Sequence, residues 1–236
     1  ALAAEPPRDP EFRVWIVTRL AEMAQRAGDD GRAERHFREA LEQSRALGAA
    51  DPFVLAAYAD LLGPKKRMVA VTHMSNVLGT INPVAEITRL AHAAGAKVLI
   101  DGCQGAVHAT PDVQAIGCDF YVFSGHKALA PTGSGALWAR RELLEAMPPY
   151  MGGGEMIREV STDRITYGEP PHRFEAGTPS IVPAIGLGAA IEYVNSIGKA
   201  RIRAHENDLL AYAQNKLREI NSLRIIGTAK DKGPIV

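Results

Sequence analysis

Asp119-Phe120-Tyr121-Val122-Phe123-Ser124-Gly125-His126-Lys127, followed closely by Pro131-Thr132-Gly133-Ser134-Gly135, decides how this chain is read. The apolar, aromatic run predicts a buried strand, and the polar Ser-Gly-His-Lys predicts the loop at its end. Gly125 lets backbone approach closely. Ser124 and His126 set donors suited to an anion on either side of it. A partly desolvated lysine loses its proton readily, so Lys127 is a candidate for a Schiff base. The plainer alternative is a strand ending in an ordinary surface lysine.

Two neighbouring stretches repeat the pattern. Met68-Val69-Ala70-Val71-Thr72-His73 predicts a buried strand, and Ser75-Asn76-Val77-Leu78-Gly79-Thr80 a polar loop after it. Pro83 starts a helix through Ala94, where proline is tolerated in the first turn, and Gly95 ends it. Ala96-Lys97-Val98-Leu99-Ile100-Asp101 predicts the next strand. Near-continuous apolar strands joined by helices predict an α/β fold with a mainly parallel sheet and flanking helices. In such sheets ligands gather at the carboxyl ends of the strands. The polar residues fall there: His73 to Asn76, Asp101 to Gln104, and Ser124 to Lys127.

Those ends suggest one chemistry. A carboxylate at the end of an apolar strand needs a cationic partner, and a protonated heteroaromatic ring nitrogen is one. Gln104 can donate to a ring oxygen, Ser124 and His126 to a phosphate, and Lys127 can form the imine. An acid at the ring nitrogen, a lysine imine and a phosphate cradle are what pyridoxal phosphate requires.

Five blocks in order now resemble the large-domain core of a class V aminotransferase-fold protein, most closely a SUF-type (group II) cysteine desulfurase or selenocysteine lyase. They are Thr72-His73-Met74-Ser75-Asn76-Val77-Leu78-Gly79-Thr80, Asp101-Gly102-Cys103-Gln104, Ser124-Gly125-His126-Lys127, Gly152-Gly153-Gly154-Glu155-Met156-Ile157 and Arg173-Phe174-Glu175-Ala176-Gly177-Thr178-Pro179. The resemblance implies the PLP-dependent transferase (fold type I) architecture over residues 64–221, with 222–236 opening a small domain; Pro183 is expected to open a helix through Ile197, and Ser222-Leu223-Arg224-Ile225-Ile226 to be the small domain's first strand. It implies that Lys127 carries the cofactor and is the catalytic residue. Asp101 pairs with the pyridine nitrogen, Gln104 contacts the ring hydroxyl, and Ser124 and His126 bind phosphate. Thr178 reaches the phosphate of a neighbouring subunit in a homodimer, and Asn76 helps hold the substrate carboxylate. The implied reaction takes sulfur from L-cysteine, or selenium from L-selenocysteine, to a protein cysteine and thence to an acceptor protein for iron–sulfur cluster assembly.

The sequence also departs from that pattern. The family has a ring-stacking histidine before the strand at Met68, and a nucleophilic cysteine and carboxylate-clamping arginine in the small domain. No position here matches them, so the expectation is a truncated portion, inactive or incomplete by itself. Lys127-Ala128-Leu129-Ala130-Pro131 also lacks the family's usual bulky residue and glycine before the proline. Cys103 is expected to pack against the cofactor rather than accept sulfur, Cys118 to be a small core residue, and His73 and His108 to be structural. Glycines 152–154 are expected to form a loop near the site.

Residues 1–63 have another texture. Trp15, Ile16, Leu20, Met23 and Ala24, then Ala33, Phe37, Ala40 and Leu41, fall at helical spacing, and Leu20-Ala21, Gly28-Asp29, Ala33, Phe37 and Ala40-Leu41 resemble a tetratricopeptide repeat. A third helix is expected over Phe53–Leu62, and Gly63-Pro64-Lys65-Lys66-Arg67 reads as a basic linker. The segment is either a peptide-binding groove or a hairpin packed on the next domain. Competing readings of the whole chain are another enzyme of this fold, such as a kynureninase-like protein, and a helical-repeat scaffold fused to a degenerate domain.

Lys+Arg and Asp+Glu balance at 27 each, so no global basic field favours nucleic acid. The apolar runs are too short to cross a bilayer, and no signal segment opens the chain. Two cysteines do not make a disulfide framework, and a reducing cytoplasm is the expected setting.

Overall fold

The computed structural model describes residues 67–227, 229 and 232–236. The expected helical repeat over 1–63 and the linker before Arg67 lie outside the described residues.

Four strands form the main sheet in the order β1-β2-β3-β4: Met68–Thr72, Lys97–Asp101, Phe120–Ser124 and Gly135–Ala139. The first three are parallel, as their apolar runs predict, and β4 returns antiparallel to β3. Side chains alternate across a strand, so register decides which residues share a face. Val69 pairs with Val98, Val71 with Ile100, Ile100 with Tyr121, and Tyr121 with Trp138. That face carries the core. Val98, Ile100 and Tyr121 cluster with Val84, Ala91, Ala96 and Cys118.

Helix α1 (Val84–Ala93) crosses from β1 to β2 and buries Val84, Ile87, Thr88 and Ala91, an i, i+3, i+4, i+7 stripe. Pro83 sits at its N-cap, and Gly95, at φ 79°, takes the left-handed turn into β2. Between β2 and β3 lie two single turns, α2 (Gly105–His108) and α3 (Val113–Ile116). Asp112 caps α3 by accepting from the Gln114 and Ala115 N–H groups, and Gly117 ends it in the left-handed region. After β4 come α4 (Arg141–Ala146) and a small antiparallel ribbon, β5 (Ile157–Val160) with β6 (Ile165–Tyr167).

Two long helices close the described chain, α5 (Ile181–Ile197) and α6 (Lys199–Arg218). Pro183 falls in the first turn of α5, two residues inside the observed start rather than at it. Neither helix is by itself long and apolar enough to cross a membrane. The strand expected over Ser222–Ile226 does not form: 221–222 is a turn and the following residues are irregular. A ladder needs a neighbouring edge, and it is the residues after this segment that meet the sheet's loops. Gly227 packs on Leu78, Lys232 bridges Thr80, and Gly233 N–H donates to the Gly79 carbonyl at 2.7 Å. The chain end is thereby laid over the turn that follows β1.

Candidate active site

Parallel register brings the three predicted strand ends to one edge. Thr72 pairs with Asp101, and Asp101 with Val122. Two backbone bonds extend the alignment past the strands, His73 N–H to the Asp101 carbonyl and Gly102 N–H to the Val122 carbonyl, both 2.8 Å. Asp101, the Cys103–Gln104 turn and the Ser124–Lys127 loop therefore share the carboxyl edge.

Each side chain has a local reason for its place. The Cys103 N–H donates to Asp101 Oδ1 at 2.9 Å, which turns the carboxylate toward the loop after β2. Gln104 caps α2, and its carbonyl accepts from the Val107 and His108 N–H groups at 3.1 Å. Gly125–Ala128 forms one 3₁₀ turn, fastened by Gly125 N–H to the Ser134 carbonyl at 2.8 Å. Gly125 is needed there: a Cβ would lie 2.2 Å from Ser134 Oγ. Ser124 Oγ and His126 Nδ1 lie 2.7 Å apart, a hydroxyl–imidazole pair at an accessible position. Lys127 is half-buried in the same turn. It helps line a cavity of about 590 Å³ between β3, the 3₁₀ turn and α5–α6.

Cys103 lies among these groups. Burial pushes its thiol up, and a hydrogen bond to Asp101 pushes the same way. The Ser124 backbone and the Lys127 charge pull it down only in part. That is the electrostatics of a packing cysteine, not of a nucleophile. Cys118 is fully buried, and burial raises its thiol too.

The floor of the site was not legible in advance. His73 Nδ1 stands 3.0 Å from Tyr121 Oη, with the rings edge to face. A Cβ on Gly102 would lie 2.1 Å from Tyr121 Cε1, and one on Gly105 2.4 Å from His73 Nδ1. The two glycines flanking Cys103-Gln104 let these rings fill the space under the turn. Glycines so close to an acid were the available signal.

Asn76 is exposed on the turn after β1, where Ser75 Oγ accepts from the Val77 and Leu78 N–H groups. That is the same edge of the sheet as Asp101. Thr178 is exposed on a bend before α5. Among the described residues no hydrogen bond joins it to Ser124 or His126. Two residues on, Ser180 approaches Gly133, and Gly186 admits Pro131, so the start of α5 rests on the loop after Lys127. Glycines 152–154 are tied to the segment before Thr178 by Gly177 N–H to the Gly154 carbonyl at 3.0 Å.

A carboxylate, an amide, a hydroxyl–imidazole pair and an amine on one strand edge match the needs of a phosphorylated pyridine aldehyde. The residues present therefore fit pyridoxal phosphate.

The chain is similar to known proteins. A cysteine desulfurase from Dickeya dadantii is 56% identical over 176 residues, covering 74% of this chain and 43% of that protein. A probable cysteine desulfurase from Synechocystis is 51% identical over 181 residues, covering 77% of this chain and 43% of that protein. The crystal structure of the cysteine desulfurase CsdA from Escherichia coli superimposes with a TM-score of 0.72 at 40% identity, over 75% of this chain and 44% of that one. A cystine C-S lyase, C-DES, solved with its product cysteine persulfide, gives a TM-score of 0.65 at 26% identity, covering 75% of this chain and 49% of its own. The chain thus spans less than half the length of the relatives it matches. The Aminotransferase class-V model, which describes a family of pyridoxal-phosphate enzymes, matches residues 46–236. The chain belongs to the class V aminotransferase family.

Proposed function

We propose that this chain carries the cofactor-holding half of a pyridoxal-phosphate cysteine desulfurase. The observation that carries this reading is the pairing of Asp101 with Val122, which puts the carboxylate and the Ser124–Lys127 loop on one edge. The names of the relatives supply the substrate class, L-cysteine in preference to L-selenocysteine.

Pyridoxal phosphate, when bound, supplies an electron sink for negative charge developing at the substrate α-carbon. The chain's own residues do the rest. Asp101 holds a proton at the pyridine nitrogen, and Gln104 donates to the ring oxygen. Ser124 and His126 donate to the phosphate. Lys127 anchors the ring through its amine and then moves the proton at the α-carbon. Asn76 donates to the substrate carboxylate. Sulfur leaves L-cysteine for a thiolate, and L-alanine is the other product. Neither Cys103 nor Cys118 suits that attack, because burial holds both thiols protonated. The sequence has no third cysteine, so the accepting cysteine, and an acceptor protein for iron–sulfur assembly beyond it, are assigned outside this sequence.

A homodimer is part of the proposal. Thr178 is exposed beside an apolar start of α5, where Ile181, Val182 and Ile185 are 57%, 75% and 69% exposed. A second copy covering that patch would bring Thr178 to its partner's phosphate site. The setting proposed is the cytoplasm.

The test is a visible absorption spectrum of the purified chain with added pyridoxal phosphate, beside Lys127→Ala. The expected result is a band above 400 nm (the imine region) that needs Lys127. A folded chain with no such band would overturn the reading for this chain. Light scattering of the same sample tests the dimer.

A further inference from the structure

Helix α6 turns one face toward α2, the single turn that follows Asp101 and Gln104. Lys199, Arg203 and Glu206 stand at i, i+4 and i+7, so they share that face. Lys199 Nζ donates to the Ala106 carbonyl at 2.6 Å and to the Ala109 carbonyl at 3.3 Å. Arg203 Nη1 donates to the His108 carbonyl at 3.2 Å. Glu206 Oε1 lies 2.7 Å from His108 Nδ1. Three charged side chains spaced along α6 thus hold Ala106 and His108 of a helix only four residues long, and Ala109 just past its end.

A single turn cannot hold itself. Helix nucleation is unfavourable, and the last carbonyls of a helix have no partner within it. Lys199 and Arg203 satisfy carbonyls of that last turn, where positive charge also suits the helix dipole. Lys199 is half-buried, and burial lowers its amine, so the ammonium is partly desolvated and leans on these carbonyls.

The turn is wired directly to the site. Ala106 N–H donates to the Gly102 carbonyl at 2.7 Å, and Val107 and His108 donate to the Gln104 carbonyl. Whatever fixes Ala106 and His108 therefore fixes the backbone of Gly102 and Gln104, the two sides of the turn after Asp101. Resting on the function proposed above, we propose that the Lys199–Arg203–Glu206 face of α6 positions the ring-binding turn, with Lys199 as its principal contact. These are positioning residues: the hydrogen bonds described above run to the backbone and His108 of the turn, not to the Asp101, Ser124 or Lys127 side chains.

The experiment compares the chain with Lys199→Ala, Lys199→Arg and Glu206→Gln. Lys216→Ala serves as a control on the same helix, since among the described residues the Lys216 ammonium pairs only with Glu219. Two readouts are taken well below the melting temperature. The first is a spectrophotometric pyridoxal phosphate titration with the pH profile of the bound absorption band. The second, without cofactor, is amide hydrogen exchange at Val107 and His108. Lys199→Ala is expected to weaken binding about tenfold, the effect of one charge-assisted hydrogen bond, and to shift the pH midpoint of the band. It is also expected to speed exchange at both amides. Lys199→Arg restores both readouts in part, Glu206→Gln gives a smaller change in the same direction, and Lys216→Ala changes neither.

Wild-type affinity and protection in Lys199→Ala, or equal losses in Lys216→Ala, would overturn the proposal. If the parent chain shows no Lys127-dependent band, the function reading fails separately. Exchange alone then decides the clamp, and unchanged protection of Val107 and His108 in Lys199→Ala rejects it.

Discussion

Tyr121 and His73 meet at 3.0 Å, oxygen to ring nitrogen, beneath the turn that carries Cys103 and Gln104. Both rings are buried, Tyr121 at 3% exposure and His73 at 8%. Backbone crosses them so closely that only glycine fits at 102 and 105.

Gly102→Ala should therefore cost about 2 kcal/mol, the usual penalty of overpacking a dense interior. Its Cβ would meet the Tyr121 ring, held on both sides, rather than the free end of a side chain. Gly105→Ala should act in the same direction through His73. Gly152→Ala meets nothing within 4 Å and has no positive φ, so it should stay within about 0.5 kcal/mol of the parent. Urea midpoints of the three variants check the order, and a neutral Gly102→Ala would remove the floor argument.

Much of this was legible because strand periodicity and register are local. The run Phe120–Ser124 and the two strands parallel to it announced themselves through apolar composition, and polar residues at their ends announced an edge. The return strand β4 did not, since Gly135-Ala136-Leu137-Trp138-Ala139 is exposed at four of five positions and lacks a buried-strand pattern. The strand expected at Ser222–Ile226 failed for the converse reason. Its β-branched residues give propensity, but pairing depends on a neighbour that sequence does not reveal. The His73–Tyr121 floor joins residues 48 apart and the α6 clamp residues 90 or more apart, and no local pattern encodes such contacts.

Leu129 offers a gain rather than a loss. It caps the 3₁₀ turn at φ 66°, in the left-handed region, and is 66% exposed. A branched side chain there costs about 1 kcal/mol in strain and covers little apolar surface. Leu129→Gly should raise stability by about 0.5–1 kcal/mol, net of the added freedom of the unfolded chain. A lower urea midpoint in this variant would show that contacts of Leu129 across the cavity outweigh the strain.

Thiol reactivity reports on Asp101. Cys103 is held protonated first by burial and next by its hydrogen bond to Asp101. Without cofactor, its reaction with a chromogenic disulfide reagent near pH 7.5 should be slower than that of free cysteine, because only thiolate attacks. Asp101→Asn removes the negative charge beside the thiol and should accelerate the reaction several-fold. Cys118, fully buried, contributes no fast phase, and Cys103→Ala should abolish the signal. An unaltered rate in Asp101→Asn would place the carboxylate away from the thiol, and with it away from the Ser124–Lys127 loop.

At the opposite end of β3, Asp119 anchors the sheet. It is 1% exposed, with His92 Nε2 at 2.7 Å, Lys97 Nζ at 3.2 Å and the Val98 N–H at 2.8 Å. Burial alone would raise its carboxyl, but those three partners together hold it below the ordinary aspartate value. A depressed folded value means that the stabilisation is complete above the unfolded value of about 3.9 and is lost as pH falls through the folded one. Asp119→Ala should cost about 2 kcal/mol near neutrality, since it leaves the buried Val98 N–H without its acceptor and takes the charge partner from His92 and Lys97, whose side chains reach water. Asp119→Asn should cost less at neutral pH, and its deficit against the parent should shrink steadily below about pH 4. Urea unfolding from about pH 7 down to about pH 3 measures this directly. A deficit that stays constant through that range would mean that Asp119 acts through shape alone and that its charge does not hold the amino end of the sheet.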